Sequence, residues 1–101
     1  MNAYTNAAQQ RLLRLVLALF ADVINGLAPG VLAKEIGCPA SAITRDLANL
    51  RDAGLAERLA SGAWRLTPRL PQQAVKVFTA INHAGMRLDE ARQRYCPEES
   101  Q

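Results

Sequence analysis

The sequence predicts a mainly α fold with one small β-hairpin, followed by a long C-terminal helix. Three observations carry that expectation. Apolar residues recur at helical spacing in four segments, over 6–24, 29–36, 40–53 and 71–95. The period falls to two on either side of Ala60-Ser61-Gly62. Half of the 101 residues are hydrophobic, only 5% are aromatic and 21% are charged, a helix-rich globular composition rather than a disordered one. A chain of this length holds one core, with residues 7–70 as its body, 71–95 as a separate helix and 96–101 as a flexible tail.

The first helix opens on Asn6 and Gln9, spaced as in a capping box, and is expected to reach Ile24, with Asn25-Gly26 as a left-handed stop. Leu12, Val16, Leu19 and Val23 form its apolar stripe, flanked by Leu13, Leu15, Phe20 and Ile24, wide enough to cover a core. Pro29 suits the first turn of a second helix, which ends at Ile36 before Gly37. A third helix runs from Ala40 to Ala53 and stops at Gly54. Residues 55–59 and 63–67 read as strand, turn, strand, with Trp64 and Leu66 facing one side and Ala63 and Arg65 the other. Pro68 and Pro71 bracket an extended link to the last helix, whose face carries Ala74, Phe78, Ile81, Gly85 and Leu88.

The stretch from Leu32 to Arg45 is the most informative. Two helices crossing steeply around a tight turn need a small residue where they touch, a glycine in the turn and an aliphatic residue packing back from the second helix. Ala33, Gly37 and Ile43 meet those needs, and Ile36, Leu47 and Leu50 complete the buried side. With these inward, helical rotation turns Ser41, Thr44, Arg45 and Ala48 outward, with Ala40 and Ala42 at the N-terminal shoulder and Asp46 and Asp52 toward the flanks. Small and hydroxyl-bearing residues around one arginine suit a helix lying in the DNA major groove. The backbone approaches closely, hydroxyls bond phosphates or base edges, and an arginine binds guanine through two hydrogen bonds. The fold expected is a winged helix-turn-helix plus a C-terminal helix.

This region resembles the winged helix-turn-helix DNA-binding domain of the IclR-type bacterial transcription regulators. The resemblance spans about residues 11–70 and rests on 36–47, on Leu50 through Gly54-Leu55, and on the wing ending Trp64-Arg65-Leu66-Thr67-Pro68-Arg69-Leu70. It implies that Ser41, Thr44 and Arg45 fall on the DNA-reading face, and Arg58, Ser61, Gly62 and Arg65 on or beside the wing. Regulators of that type carry a sizeable ligand-sensing domain after the linker. Only residues 71–101 follow it in this sequence, so small-molecule sensing of that kind is not expected.

Charge agrees with an anionic partner. Residues 1–70 hold eight Lys/Arg and five Asp/Glu, a net +3, whereas residues 71–101 hold four of each and sum to zero. Two cysteines, Cys38 and Cys96, are too few for a disulfide scaffold and suit a reducing cytoplasm. Cys38 reads as a small residue packed in the helix turn, and Trp64 as wing-to-core packing rather than a base-stacking platform. The apolar run Leu15–Ala21 follows Arg11 and Arg14, but Asp22 ends it and no small-residue cleavage site follows. It is also far too short to span a bilayer, so neither export nor a membrane partner is expected. One histidine, His83, without clustered Cys or His gives no zinc motif. No phosphate loop, nucleophile elbow or carboxylate pair stands out, so neither an enzyme nor a cofactor is expected.

The function expected is sequence-specific recognition of double-stranded DNA by a transcriptional regulator. Residues 40–53 read the major groove and the wing, residues 55–67, holds phosphates. The C-terminal stripe, with Phe78, Ile81, Gly85 and Leu88 at its centre and Val75, Val77 and Met86 beside it, is expected to pair two copies and set the spacing of two recognition helices. The alternative is a winged-helix adaptor or subunit within a nucleoprotein complex.

Overall fold

The structure is a computed structural model and describes residues 3–98. Its elements are α1 (Ala7–Leu19), α2 (Pro29–Ile36), α3 (Ala40–Asp52), β1 (Ala56–Arg58), β2 (Trp64–Leu66) and α4 (Pro71–Tyr95). Three helices and a two-stranded antiparallel wing form the first unit, up to Leu70, and α4 belongs to a second unit. The arrangement of the first unit is a winged helix. The expected tail at 96–101 is described only as far as Glu98, and its last three residues lie outside the described part.

The core is built from helix faces meeting the inner side of the wing. Leu15 and Leu19 of α1, Leu32 and Ala33 of α2, Ile43, Leu47 and Leu50 of α3, and Ala56, Trp64 and Leu66 of the strands are buried together. Each fully buried leucine or isoleucine among them contributes about 2 kcal/mol of transfer free energy. Ala33, the small residue expected where α2 and α3 touch, is buried. Gly37 ends α2 with φ +79°, a left-handed conformation that disfavours any side chain, and the N–H groups of Gly37 and Cys38 both donate to the Ala33 carbonyl at 2.9 and 3.1 Å. Pro39 is extended and starts α3, so three residues make the turn. Cys38 is half-buried there and packs against the core.

Three expectations need correction. The first helix ends at Leu19, not Ile24, because Asp22 reorganises the chain beyond it. Its Oδ1 accepts from Asn25 N at 2.8 Å and Ile24 N at 3.1 Å, and its carbonyl accepts from Gly26 N at 3.2 Å. A local turn satisfied by a side chain competes with another helical turn and wins. Phe20, Val23 and Ile24 are consequently exposed, and the buried face of α1 centres on Leu15 and Leu19, with Leu12 and Val16 beside it. Ala42, expected at the outer shoulder of α3, is buried. Asp46, expected toward a flank, is also buried.

The wing gains a third backbone segment. Leu27 and Trp64 exchange two hydrogen bonds, 2.8 and 2.9 Å, so the first residue of β2 lies between Leu27 and Arg58 of β1. Gly26 makes this possible: its φ is +76°, and a Cβ there would lie 2.7 Å from the Trp64 carbonyl oxygen. Trp64 and Leu66 face the core while Arg65 faces outward, in the alternation expected from the strand period. The hairpin closes through Gly62 N to the Leu59 carbonyl at 2.9 Å, with Ala60-Ser61-Gly62 as its loop.

The helix α4 lies in a unit of its own. Its 25 residues span about 37 Å at 1.5 Å per residue. None is buried, and Val75, Val77, Phe78, Ile81, Met86, Leu88 and Tyr95 are all exposed. Arg92 and Arg94 in the last turn complement the negative end of the helix dipole.

Candidate nucleic-acid interface

The outer face of α3 follows from its inner one. Burial of Ile43, Asp46, Leu47 and Leu50 fixes the rotation, which leaves Ser41, Thr44 and Arg45 exposed and Ala48 half-buried between them. Ala40 is exposed at the N-terminal end and adds no bulk. Thr44 donates its hydroxyl proton to the Ala40 carbonyl at 3.0 Å, so it offers an incoming ligand its oxygen lone pairs and its methyl group. The Arg45 side chain has no hydrogen-bond or ion-pair partner among the described residues, and its carbonyl accepts from Asn49 Nδ2 at 2.9 Å. Its five guanidinium donors point to no protein acceptor.

What holds this face in place is an ion pair beneath it. Arg11 of α1 binds Asp46 with two hydrogen bonds, Nε to Oδ2 at 2.6 Å and Nη2 to Oδ1 at 2.9 Å. Asp46 is 6% exposed, and the hydrogen bonds to its carboxylate raise the Arg11 pKa further above its already high ordinary value. Neither residue was singled out as a pair from sequence. A signal was present nonetheless: positions 43, 46, 47 and 50 share one helical phase, so a carboxylate at 46 enters the core and demands a cation.

Between α3 and the wing lies an open groove of about 360 Å³, lined by Pro29, Thr44, Ala48, Arg51, Arg58 and Trp64. It brings together two of the expected site residues, Thr44 and Arg58, from different elements. It also adds Arg51, which the sequence reading passed over although it lies seven positions, two helical turns, beyond Thr44. The Arg51 guanidinium sits over the Trp64 ring, 5.8 Å from its centroid.

No family model matches the chain, and no curated protein does. Among solved structures, a mutant of ZitR from Lactococcus lactis is similar: 16% identity, a TM-score of 0.48, 99% of this chain covered and 68% of that one. The winged helix itself is read from the elements and pairings of residues 7–70.

The remaining wing residues divide. Arg58 is exposed, and its Nη2 lies 3.8 Å from where a Cβ on Gly62 would stand, so it folds along the hairpin loop without an acceptor among the described residues. Ser61 is exposed at the loop, its Oγ accepting weakly from Ala63 N at 3.3 Å, and Gly62 is half-buried beside it. Arg65 differs from Arg58. Its Nε donates to Glu57 Oε1 at 2.8 Å across the strand pair, and its Nη1 donates to the Ile24 carbonyl at 2.8 Å. One donor braces the strand pair and the other ties the wing to the Asp22 turn, and Arg65 does not line the groove. Among the described residues no cluster of three or more His, Cys, Asp or Glu could hold a metal ion, and no helix is long and apolar enough to cross a membrane.

Proposed function

We propose that residues 7–70 form a sequence-specific DNA-binding domain of a transcriptional regulator, with α3 in the major groove and the wing against the phosphate backbone. The observation that carries this reading is the outer face of α3, where an unpaired arginine stands among small and hydroxyl-bearing residues. Arg45 is the main base contact, Ser41 and Thr44 bond adjacent base edges or phosphates, and Ala40 lets the backbone approach. Arg58, Ser61 and Gly62 meet the sugar-phosphate chain, and Arg65 adds charge there while bracing the wing. The net +3 of residues 1–70 supports an anionic partner. The IclR-type resemblance of residues 11–70 supports the same reading.

A second copy completes the regulator. A single small domain buries little surface on DNA, and two-fold pairing doubles the contacts. The exposed stripe of α4, with Phe78, Ile81 and Leu88 around Gly85, is apolar on a helix that buries nothing of its own, and an isolated helix gains little stability in water. Pairing with the same stripe of another copy covers both at once. Gel-shift titration against a randomised duplex pool, at two salt concentrations, tests the function. A regulator binds the pool and retains a preferred subset at the higher salt. An adaptor that contacts only proteins shifts nothing at either.

A further inference from the structure

We infer that the groove between α3 and the wing is a phosphodiester clamp, in which Arg51 and Arg58 together hold one backbone phosphate of a DNA duplex. This rests on the DNA reading above and deepens it with a binding site that the outer face of α3 does not supply. The lining of the groove holds two guanidinium groups and no carboxylate. Arg51 comes from the last turn of α3 and Arg58 from β1, so the two cations reach the groove from different elements.

The stack on Trp64 matters to the chemistry. A guanidinium 5.8 Å from an indole centroid is drawn to the ring face, and a planar guanidinium fork can bond a phosphate oxygen pair. The ring contact also restricts the side chain before the ligand arrives, so less rotamer freedom is lost on binding. The nearest acid, Asp52, stands 3.8 Å from the Arg51 Nε, and both side chains are exposed, which leaves the two Nη groups for the ligand. Thr44 cannot donate its hydroxyl without giving up Ala40, so the charged donors in the groove are the arginines. Trp64 is itself 7% exposed and closes the floor, while Pro29 and Ala48 make low apolar walls. A base has no free ring to stack on there. The groove is open to solvent, as a phosphate embedded in a continuing chain requires.

Trp64 is the single tryptophan of the chain, so emission changes at the groove are read without a second indole. The unmodified chain, Arg51→Gln and Arg58→Gln are titrated with duplex DNA over a series of salt concentrations, and the unmodified chain separately with inorganic phosphate. Far-UV circular dichroism verifies that each variant is folded, and Arg58→Gln removes a cation that stacks on nothing. The clamp requires each variant to lower the slope of log affinity against log salt by about 1 while preferring the same sequences. It also requires duplex to change Trp64 emission in the unmodified chain and not in Arg51→Gln. Unchanged slopes in both variants, while Arg45→Ala still relaxes sequence preference, overturn the clamp and leave the α3 reading intact. A changed preference in Arg51→Gln makes it a base reader and overturns the clamp. An equal emission change with inorganic phosphate at the duplex concentration assigns the groove to free phosphate and does the same. If the unmodified chain binds no duplex, both readings fall.

Discussion

Arg45 and Asp46 are neighbours in sequence that end on opposite sides of α3. Arg45 leaves its guanidinium to solvent, while Asp46 turns inward and is satisfied by Arg11 from thirty-five positions away in the chain. The pair fixes α3 against α1, so it governs where Arg45 points. Removing one partner leaves the other partly buried and uncompensated, whereas replacing both with apolar groups removes the desolvation penalty as well. Asp46→Ala is therefore expected to lower the melting temperature followed by circular dichroism, and Arg11→Met with Asp46→Leu to recover most or all of it. Asp22 makes a pH-dependent contribution. The backbone N–H of Asn25, then that of Ile24, hold its pKa below the ordinary 3.8, outweighing the opposing effect of burial. A carboxylate with a depressed folded pKa stabilises fully above its unfolded value and loses that contribution as pH falls through the folded one. Melting temperatures of the unmodified chain and Asp22→Ala should thus differ by a constant amount from about pH 7 to about pH 5, and the difference should shrink as pH falls below the ordinary carboxylate value.

At the scale of elements, the wing depends on backbone pairing with a residue outside the hairpin. Leu27 reaches Trp64 only because Gly26 adopts a left-handed conformation and carries no side chain against the Trp64 carbonyl. Gly26→Ala is expected to cost about 2 kcal/mol or more in urea unfolding, from the strained φ and the close approach together. A loss below about 0.5 kcal/mol would show that the strand pairing relaxes freely. Much of this architecture was legible. The limits of α2 and α4, the glycine of the turn, and the sides taken by Trp64 and Leu66 follow from spacing and local conformational preference. The end of α1 was not legible, because Val23 and Ile24 continue an apolar period that the Asp22 turn interrupts without breaking the sequence pattern. The outer face of α3 could be read from its inner face. The groove could not, since it depends on where the wing folds back relative to Thr44 and Arg51. For α4, Phe78→Glu or Ile81→Glu should yield a folded monomer with weakened DNA binding, measured by light scattering and gel shift. Light scattering showing the unmodified chain as a monomer well above its DNA-binding concentration would end the dimer proposal.

In the whole molecule, the core that fixes the rotation of α3 carries unpaired cations on its outside. Four of the cations in residues 1–70, namely Arg14, Lys34, Arg45 and Arg58, have no acidic partner among the described residues, while Arg11 and Arg65 are held by Asp46 and Glu57. Unpaired cations give affinity that is independent of sequence and falls with salt. Specificity needs base contacts, and Arg45 is the residue we propose for the strongest one. The most direct measurement is selection from a randomised duplex library by the unmodified chain and by Arg45→Ala, followed by affinities for the selected sites. The account predicts an enriched motif for the unmodified chain. It predicts that Arg45→Ala loses roughly 1–3 kcal/mol on that motif and its preference at one base pair, with little change on unrelated duplex. An identical motif and affinity in the two proteins, or no enrichment by the unmodified chain, would contradict it.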